Sequence, residues 1–230
     1  MIYITGDTHG YFDRIEDFCI EKRPKRSDIM IILGDAGINY HCNWKDEYKK
    51  DFIADLPITF LCIHGNHEKR PFDIPSYFET SWHGGIVYQE QKYPNILFAK
   101  DGEIYELNNK KSIALGGAYS IDKNYRLSHD MRWFPNEQPS EEIKAYAVQQ
   151  LVAQNWQIDT VLSHTVPFKY EPIESKKSEI DQSTIDKSTE QWLDSIEDRL
   201  SYSKWYCGHW HICKEIDKIK FMYENIEEFL

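Results

Sequence analysis

The chain has no hydrophobic run of about 18 residues, the length a membrane-spanning helix needs, so no such span is expected. It is short of positive charge. Its 27 Lys and Arg stand against 38 Asp and Glu, a net charge of −11. That balance argues against a broad electrostatic grip on nucleic acid or anionic lipid, which leaves nucleic acid only as a substrate. Bound cations would still create a local positive site. Cysteine is sparse and odd in number: Cys19, Cys42, Cys62, Cys207 and Cys213, with no Cys-x-x-Cys pair. This usage suggests reduced thiols in a cytoplasmic protein. Internal repeats, low-complexity tails and an interdomain linker are missing too. The first strand-like segment starts at residue 2, so no signal peptide is expected. The expectation is one domain over residues 1–230, with a packed core supported by 41% hydrophobic and 14% aromatic residues.

What is present is a series of buried-type strands that stop abruptly on polar residues. Ile2–Thr5 runs into Gly6-Asp7-Thr8-His9-Gly10, and Asp28–Leu33 into Gly34-Asp35-Ala36-Gly37. Pro57–Ile63 meets His64-Gly65-Asn66-His67-Glu68. Thr160–Leu162 meets Ser163-His164-Thr165, and Lys204–Cys207 meets Gly208-His209-Trp210-His211. Helical periodicity marks Tyr11–Arg23, where Phe12, Ile15, Phe18 and Cys19 share a face, and Trp44–Ala54. Further helices follow Ser140 as N-cap and a capping box over Ser188–Gln191. Residues 71–94 read as irregular apart from a short strand at Ile86–Tyr88. Short strands follow at Ile96–Phe98, Glu103–Leu107 and Lys111–Leu115, with Asn108-Asn109 as a hairpin turn. Residues 171–187 are polar and aperiodic, a long surface loop that is disordered or a lid. A hairpin around Asp217-Lys218 closes the chain. Strands and helices alternate at both ends of a β-rich middle. This predicts an α/β fold with two layers of mixed sheet flanked by helices.

Five strand ends therefore carry Asp7 and His9; Asp35; Asn66 and His67; His164; and His209 and His211. Five of the nine histidines sit there. Each alone reads as an ordinary core histidine or cap. Together at one sheet edge, where α/β folds keep their crevices, they are costly to bury unless ions neutralise them. Mixed nitrogen and oxygen donors suit borderline divalent metals.

The order Asp-x-His, Gly-Asp, Gly-Asn-His-Glu, His, Gly-His-x-His resembles the calcineurin-like metallophosphoesterase superfamily, over residues 7 to 211. The resemblance implies a four-layer αββα fold and two divalent metal ions, Mn²⁺ first, with Fe or Zn²⁺ as alternatives. It implies one ion on Asp7, His9 and His211, a second on Asn66, His164 and His209, and Asp35 bridging both. It further implies hydrolysis of a phosphomonoester or phosphodiester by a metal-bridged hydroxide, with His67 as general acid.

One motif departs from the family. Gly34-Asp35-Ala36-Gly37-Ile38-Asn39 lacks the second Asp that orients the catalytic His in phosphoprotein phosphatases, and the phosphate-clamping Arg beside it. Arg126, in the loop after Gly116-Gly117, is the candidate replacement cation, with Arg132 second and Asn39 as a further substrate contact. A nucleotide-type or other phosphorylated small molecule is the expected substrate. The alternatives are a Ser/Thr-type protein phosphatase and a catalytically silent scaffold of the same fold. The sequence leaves oligomeric state open.

Overall fold

A computed structural model describes residues 1–175 and 182–229. The elements run β1 (Ile2–Thr5), α1 (Asp13–Lys22), β2 (Ile29–Ile32), α2 (Trp44–Asp55), β3 (Thr59–Cys62), β4 (Tyr77–Trp82), β5 (Gly85–Glu90) and β6 (Tyr93–Ala99). Then come β7 (Ile104–Leu107), β8 (Lys110–Leu115), α3 (Lys123–Ser128), α4 (Glu141–Ala153), β9 (Thr160–Ser163) and α5 (Ser188–Glu197). The last are β10 (Lys204–Cys207), β11 (Lys214–Ile216), β12 (Ile219–Phe221) and β13 (Ile226–Glu228).

One sheet has the order β13-β1-β2-β3-β6-β5-β4, the other β11-β12-β10-β9-β8-β7. Side-chain alternation along the strands builds the layers. Ile2 and Ile4 of β1 point between the sheets, where they join Ala114, Leu162 and Tyr206 of the facing sheet. Tyr3, between them, points outward to a cluster with Ile15 of α1 and Ile53 of α2. On the far side, Ile113, Val161 and Trp205 pack against Ala147 and Leu151 of α4 and Leu193 and Ile196 of α5. Because both faces of these strands are covered, they read as unbroken apolar runs. The expected arrangement of two mixed sheets flanked by helices is the one observed.

The parallel strands end flush. Thr5 pairs with Ile32 and Ile32 with Cys62 in the first sheet. Leu115 pairs with Ser163 and Ser163 with Cys207 in the second. The polar residues after β1, β2, β3, β9 and β10 therefore emerge level with one another.

Several expectations need correction. Residues 71–94 are not irregular: β4 and β5 form an antiparallel hairpin with Tyr77 opposite Glu90 and Trp82 opposite Gly85. The strand β13, unforeseen, pairs antiparallel with β1. The capping box at Ser188 does not form. Asp186 Oδ1 accepts the Ser188 N–H at 2.9 Å, and the Ser188 hydroxyl lies 3.1 Å from Gln138 Oε1 instead. Of the loop expected at 171–187, Ile173–Ser175 and Gln182–Thr184 are 3₁₀ turns. Residues 176–181, part of the same expectation, lie outside the described residues. Among the described residues no helix is long and apolar enough to cross a membrane. All five cysteines are free thiols.

Arg14 of α1 fixes the end of β1. Its Nη2 donates to the carbonyls of Gly6 at 3.2 Å, Asp7 at 2.8 Å and Tyr223 at 3.1 Å. Arg14→Leu leaves these acceptors without their charged donor. It should lower the unfolding free energy by about 2–3 kcal/mol, read as a lower urea midpoint with unchanged slope.

Candidate metal centre

Asp7 and Asp35 are held in the same way. Asp7 Oδ1 accepts the backbone N–H of His209 at 2.9 Å, and Asp35 Oδ1 that of His67 at 2.8 Å. Both approaches require glycine. A Cβ on Gly208 would stand 2.3 Å from Asp7 Oδ1, and one on Gly65 2.1 Å from Asp35 Oδ1. Each Oδ2 is left facing the other ligands, and Asp7 Oδ2 is buried with no hydrogen-bond partner.

Two groups of donor atoms collect around these oxygens. In the first, Asp7 Oδ2 lies 3.3 Å from His211 Nε2 and 3.7 Å from His9 Nε2. The two imidazole nitrogens are 3.0 Å apart. Atoms about 2.1 Å from a shared ion stand about 3.0–3.4 Å from one another, so the 3.0 and 3.3 Å separations fit one and the 3.7 Å separation is slightly wide. In the second, Asn66 Oδ1 lies 2.8 Å from His164 Nε2 and 3.1 Å from His209 Nδ1. Asp35 Oδ2 lies between the groups, 3.7 Å from His164 Nε2 and 3.9 Å from His9 Nδ1. Oxygens of Asp7 and Asp35 and a nitrogen of His164 all fall within 4.8 Å of one another.

The donor chemistry fits cations. His164 Nδ1 faces the Leu33 carbonyl at 2.8 Å, which can only accept, so Nδ1 carries the proton. Nε2 and Asn66 Oδ1 then face each other at 2.8 Å, a contact that needs a positive centre, whether a proton on the ring or an ion. Positive charge must enter such a cluster, and ions seated among these atoms supply it to all of them at once. Burial, reinforced by His164, pushes His209 down to about 3, so its ring is a neutral ligand at ordinary pH. Burial alone would raise the two carboxyls. The surrounding imidazoles, His164 foremost, outweigh it and hold both below the usual carboxylate range. The backbone is strained to bring these atoms together. His9, Asp35, His209 and His211 have φ of 49°, 46°, 65° and 52°, each a left-handed conformation that side chains with a Cβ resist.

His9, Asp35, Asn66, His209 and His211 form the floor of a cavity of about 640 Å³, and Asp7 and His164 are buried beside them. His67 and Arg126 stand on its wall, with Arg126 Nη2 3.3 Å from His67 Nε2. Arginine can only donate, so Nε2 is an acceptor here. Burial lowers the His67 pKa, Asp35 opposes this, and Arg126 adds to it. Arg126 is held by Asp122 Oδ2 at 2.8 Å and by the Tyr40 hydroxyl at 3.3 Å. Arg126 thus combines an ion pair with a place on the cavity wall.

Asn39 is a correction: it does not reach the cavity. After Gly37 the chain turns inward, leaving Asn39 1% exposed with Oδ1 accepting the Tyr77 hydroxyl at 3.1 Å. Arg132 contributes its backbone carbonyl to Arg126, 3.3 Å away, and does not line the cavity. The sequence reading missed Lys49, Lys187, Glu190 and Trp210, which do line it. Only Trp210, inside Gly-His-x-His, carried a signal. Ser120 and Glu137, behind Asn66, were also missed.

The chain matches the calcineurin-like phosphoesterase family model over residues 1–213, and it belongs to that family. The family's members are generally metal-dependent phosphoesterases, some of them inactive. No curated relative matches the chain. One crystal structure resembles it with a TM-score of 0.51 at 12% identity, covering 96% of this chain and 88% of its own, a likeness of fold alone. A protein of unknown function from Aquifex aeolicus (AQ665) aligns with a TM-score of 0.37 at 19% identity, over 79% of this chain and 87% of its own.

Glu190 permits a test of these electrostatics. Its Oε1 accepts the Thr165 hydroxyl at 3.0 Å, Oε2 has no hydrogen-bond partner, and burial pushes the carboxyl up to about 7. An acid whose folded pKa exceeds its unfolded value stabilises fully below the unfolded value. That stability is lost as pH rises through the folded one. Here the window runs from 4.5 to about 7, and the loss is about 3 kcal/mol. Glu190→Gln should melt above the parent at pH 8 and close to it at pH 5. An equal difference at both pH values would refute the shift.

Proposed function

We propose that this chain hydrolyses phosphoric esters with two divalent metal ions. Asp7, His9 and His211 hold one, Asn66, His164 and His209 the other, and Asp35 lies between them. The supporting observation is the convergence of two groups of nitrogen and oxygen donors around Asp7 Oδ2, which is buried without a hydrogen-bond partner, and Asp35 Oδ2. When bound, the ions supply Lewis acidity toward phosphoryl oxygens and activate water for attack on phosphorus. Mn²⁺ is the first candidate, since this mixed donor set suits borderline ions.

The protein's own groups do the rest. Arg126 turns from His67 to a phosphoryl oxygen. That removes both a donor from Nε2 and a positive charge from beside the ring, and it raises the proton affinity of His67. His67 then takes a proton from solvent on Nε2 and passes it to the leaving oxygen, a contribution of about 10²–10⁴ in rate. The cavity volume suits a ligand of nucleotide size. Tyr11, Tyr40, Tyr119 and Trp210 on its wall offer faces for a base, and Lys49 and Lys187 add cations. A nucleotide-type mono- or diester in the cytoplasm is the substrate we favour. The Ser/Thr phosphatase reading loses support, because its orienting Asp is replaced by Ile38, which is fully buried.

The test is hydrolysis of p-nitrophenyl phosphate and its bis-ester by metal-stripped protein with and without Mn²⁺. Turnover should require metal, and His67→Ala should lower kcat by about 10²–10⁴. No turnover of either ester or of nucleotides with metal bound would sink the proposal. Arg126→Ala should raise KM or lower kcat while metal content stays normal. Unchanged kinetics would remove Arg126 from the site.

A further inference from the structure

Asn66 is the one candidate ligand with an amide side chain, whose oxygen and nitrogen ends can exchange places. Turned one way its amide offers Oδ1 to an ion; flipped, it offers hydrogens. The structure contains a device that decides between them. Glu137, 2% exposed, accepts from Ser120 twice: from the backbone N–H at 3.0 Å and from the hydroxyl at 2.5 Å. A hydroxyl has one proton, and here it is committed to Glu137. Toward Asn66, Ser120 Oγ therefore has only lone pairs, and it accepts Asn66 Nδ2–H at 2.8 Å. Oδ1 is thereby turned to His164 Nε2 and His209 Nδ1.

We propose that Glu137 and Ser120 form a positioning relay that fixes the polarity of the Asn66 amide and so builds the second ion site, but not the first. This rests on the metal-centre reading above. Asp7 and His9 have no hydrogen bond to Ser120 or Glu137 among the described residues. The relay also spans the base of the segment that carries Asp122 and Arg126, because Ser120 and Glu137 bracket it. It thus ties an ion ligand to the phosphate-contacting loop. Glutamine at 137 keeps the shape but not the polarity. It has one acceptor oxygen for two Ser120 donors, and its NH₂ can reverse the hydroxyl and with it Asn66.

The experiment is calorimetric titration of the metal-stripped full chain with Mn²⁺, with electron paramagnetic resonance of the loaded protein. Melting curves of each variant accompany it. The parent should take up two ions and show a spin-coupled pair. Ser120→Ala and Glu137→Gln should bind the first ion with parental affinity and the second about 10–100-fold more weakly, leaving an isolated-ion spectrum. If Ser120→Ala fails to fold, the isosteric Glu137→Gln decides the matter. Parental affinity for both ions in the folded variants overturns the relay and leaves the metal centre standing. Equal weakening of both ions overturns it as well. A parent that binds no Mn²⁺ sinks the metal-centre reading and the relay together.

Discussion

Two sheet edges meet here, and each turns oxygen or imidazole nitrogen atoms toward the other. From one side come the carboxylates of Asp7 and Asp35 and the amide oxygen of Asn66. From the other come the imidazoles of His164 and His209. The fold satisfies each carboxylate by half, with one backbone N–H on Oδ1. It does so across the sheets for Asp7 and within one sheet for Asp35. Much else in the neighbourhood follows from holding that arrangement. Gly65 and Gly208 are there because a Cβ would collide with the carboxylates. Arg14 gathers the carbonyls at the end of β1, and four candidate ligands, His9, Asp35, His209 and His211, adopt left-handed backbone that aims their side chains. Such strain persists only where surrounding structure over-determines it, and the flush strand ends on both sides do that.

The parts legible in the sequence are those whose physics is local. Parallel strands covered on both faces must be apolar throughout, so β1, β2, β3, β9 and β10 announced themselves, and so did the polar residues that end them. β4 was illegible because it lies at the sheet edge, with Phe78, Glu79 and Ser81 exposed and no apolar alternation. β13 is three residues long and exists only through its register with β1, at the opposite end of the chain. Asn39 was misread for a related reason. Adjacency to Gly-Asp suggested a site residue, but the turn at Gly37, with φ of 75°, carries the chain into the core. Arg126 was legible through the Gly-Gly loop. Its preference over Arg132 needed α3, which sets Asp122 one turn before it. Glu137 had no signal, since its partner is 17 residues away on an irregular path.

The cavity's charges also explain how an acidic protein could receive an anion. Every cation on the wall is already engaged. Lys49 donates to the Gly37 carbonyl at 2.9 Å, Lys187 pairs with Glu171 at 2.8 Å, and Arg126 pairs with Asp122. The floor holds Asp35, with Asp7 buried beside it. Glu68 beneath them adds no third charge, because burial, with Asp35 adding to it, pushes its carboxyl up to about 8. Without ions, then, the floor is negative, the cations on the wall are already held by other partners, and a phosphate gains little by entering. With two divalent ions the floor gains four positive charges against two carboxylates, in a site where water is partly excluded and charge is weakly screened. On this reading phosphate affinity is conditional on metal. The neutral ligand Asn66 is part of the reason, since an aspartate there would cancel one of the charges the substrate needs. What holds that amide oxygen toward the ions therefore bears on substrate binding as much as on metal binding.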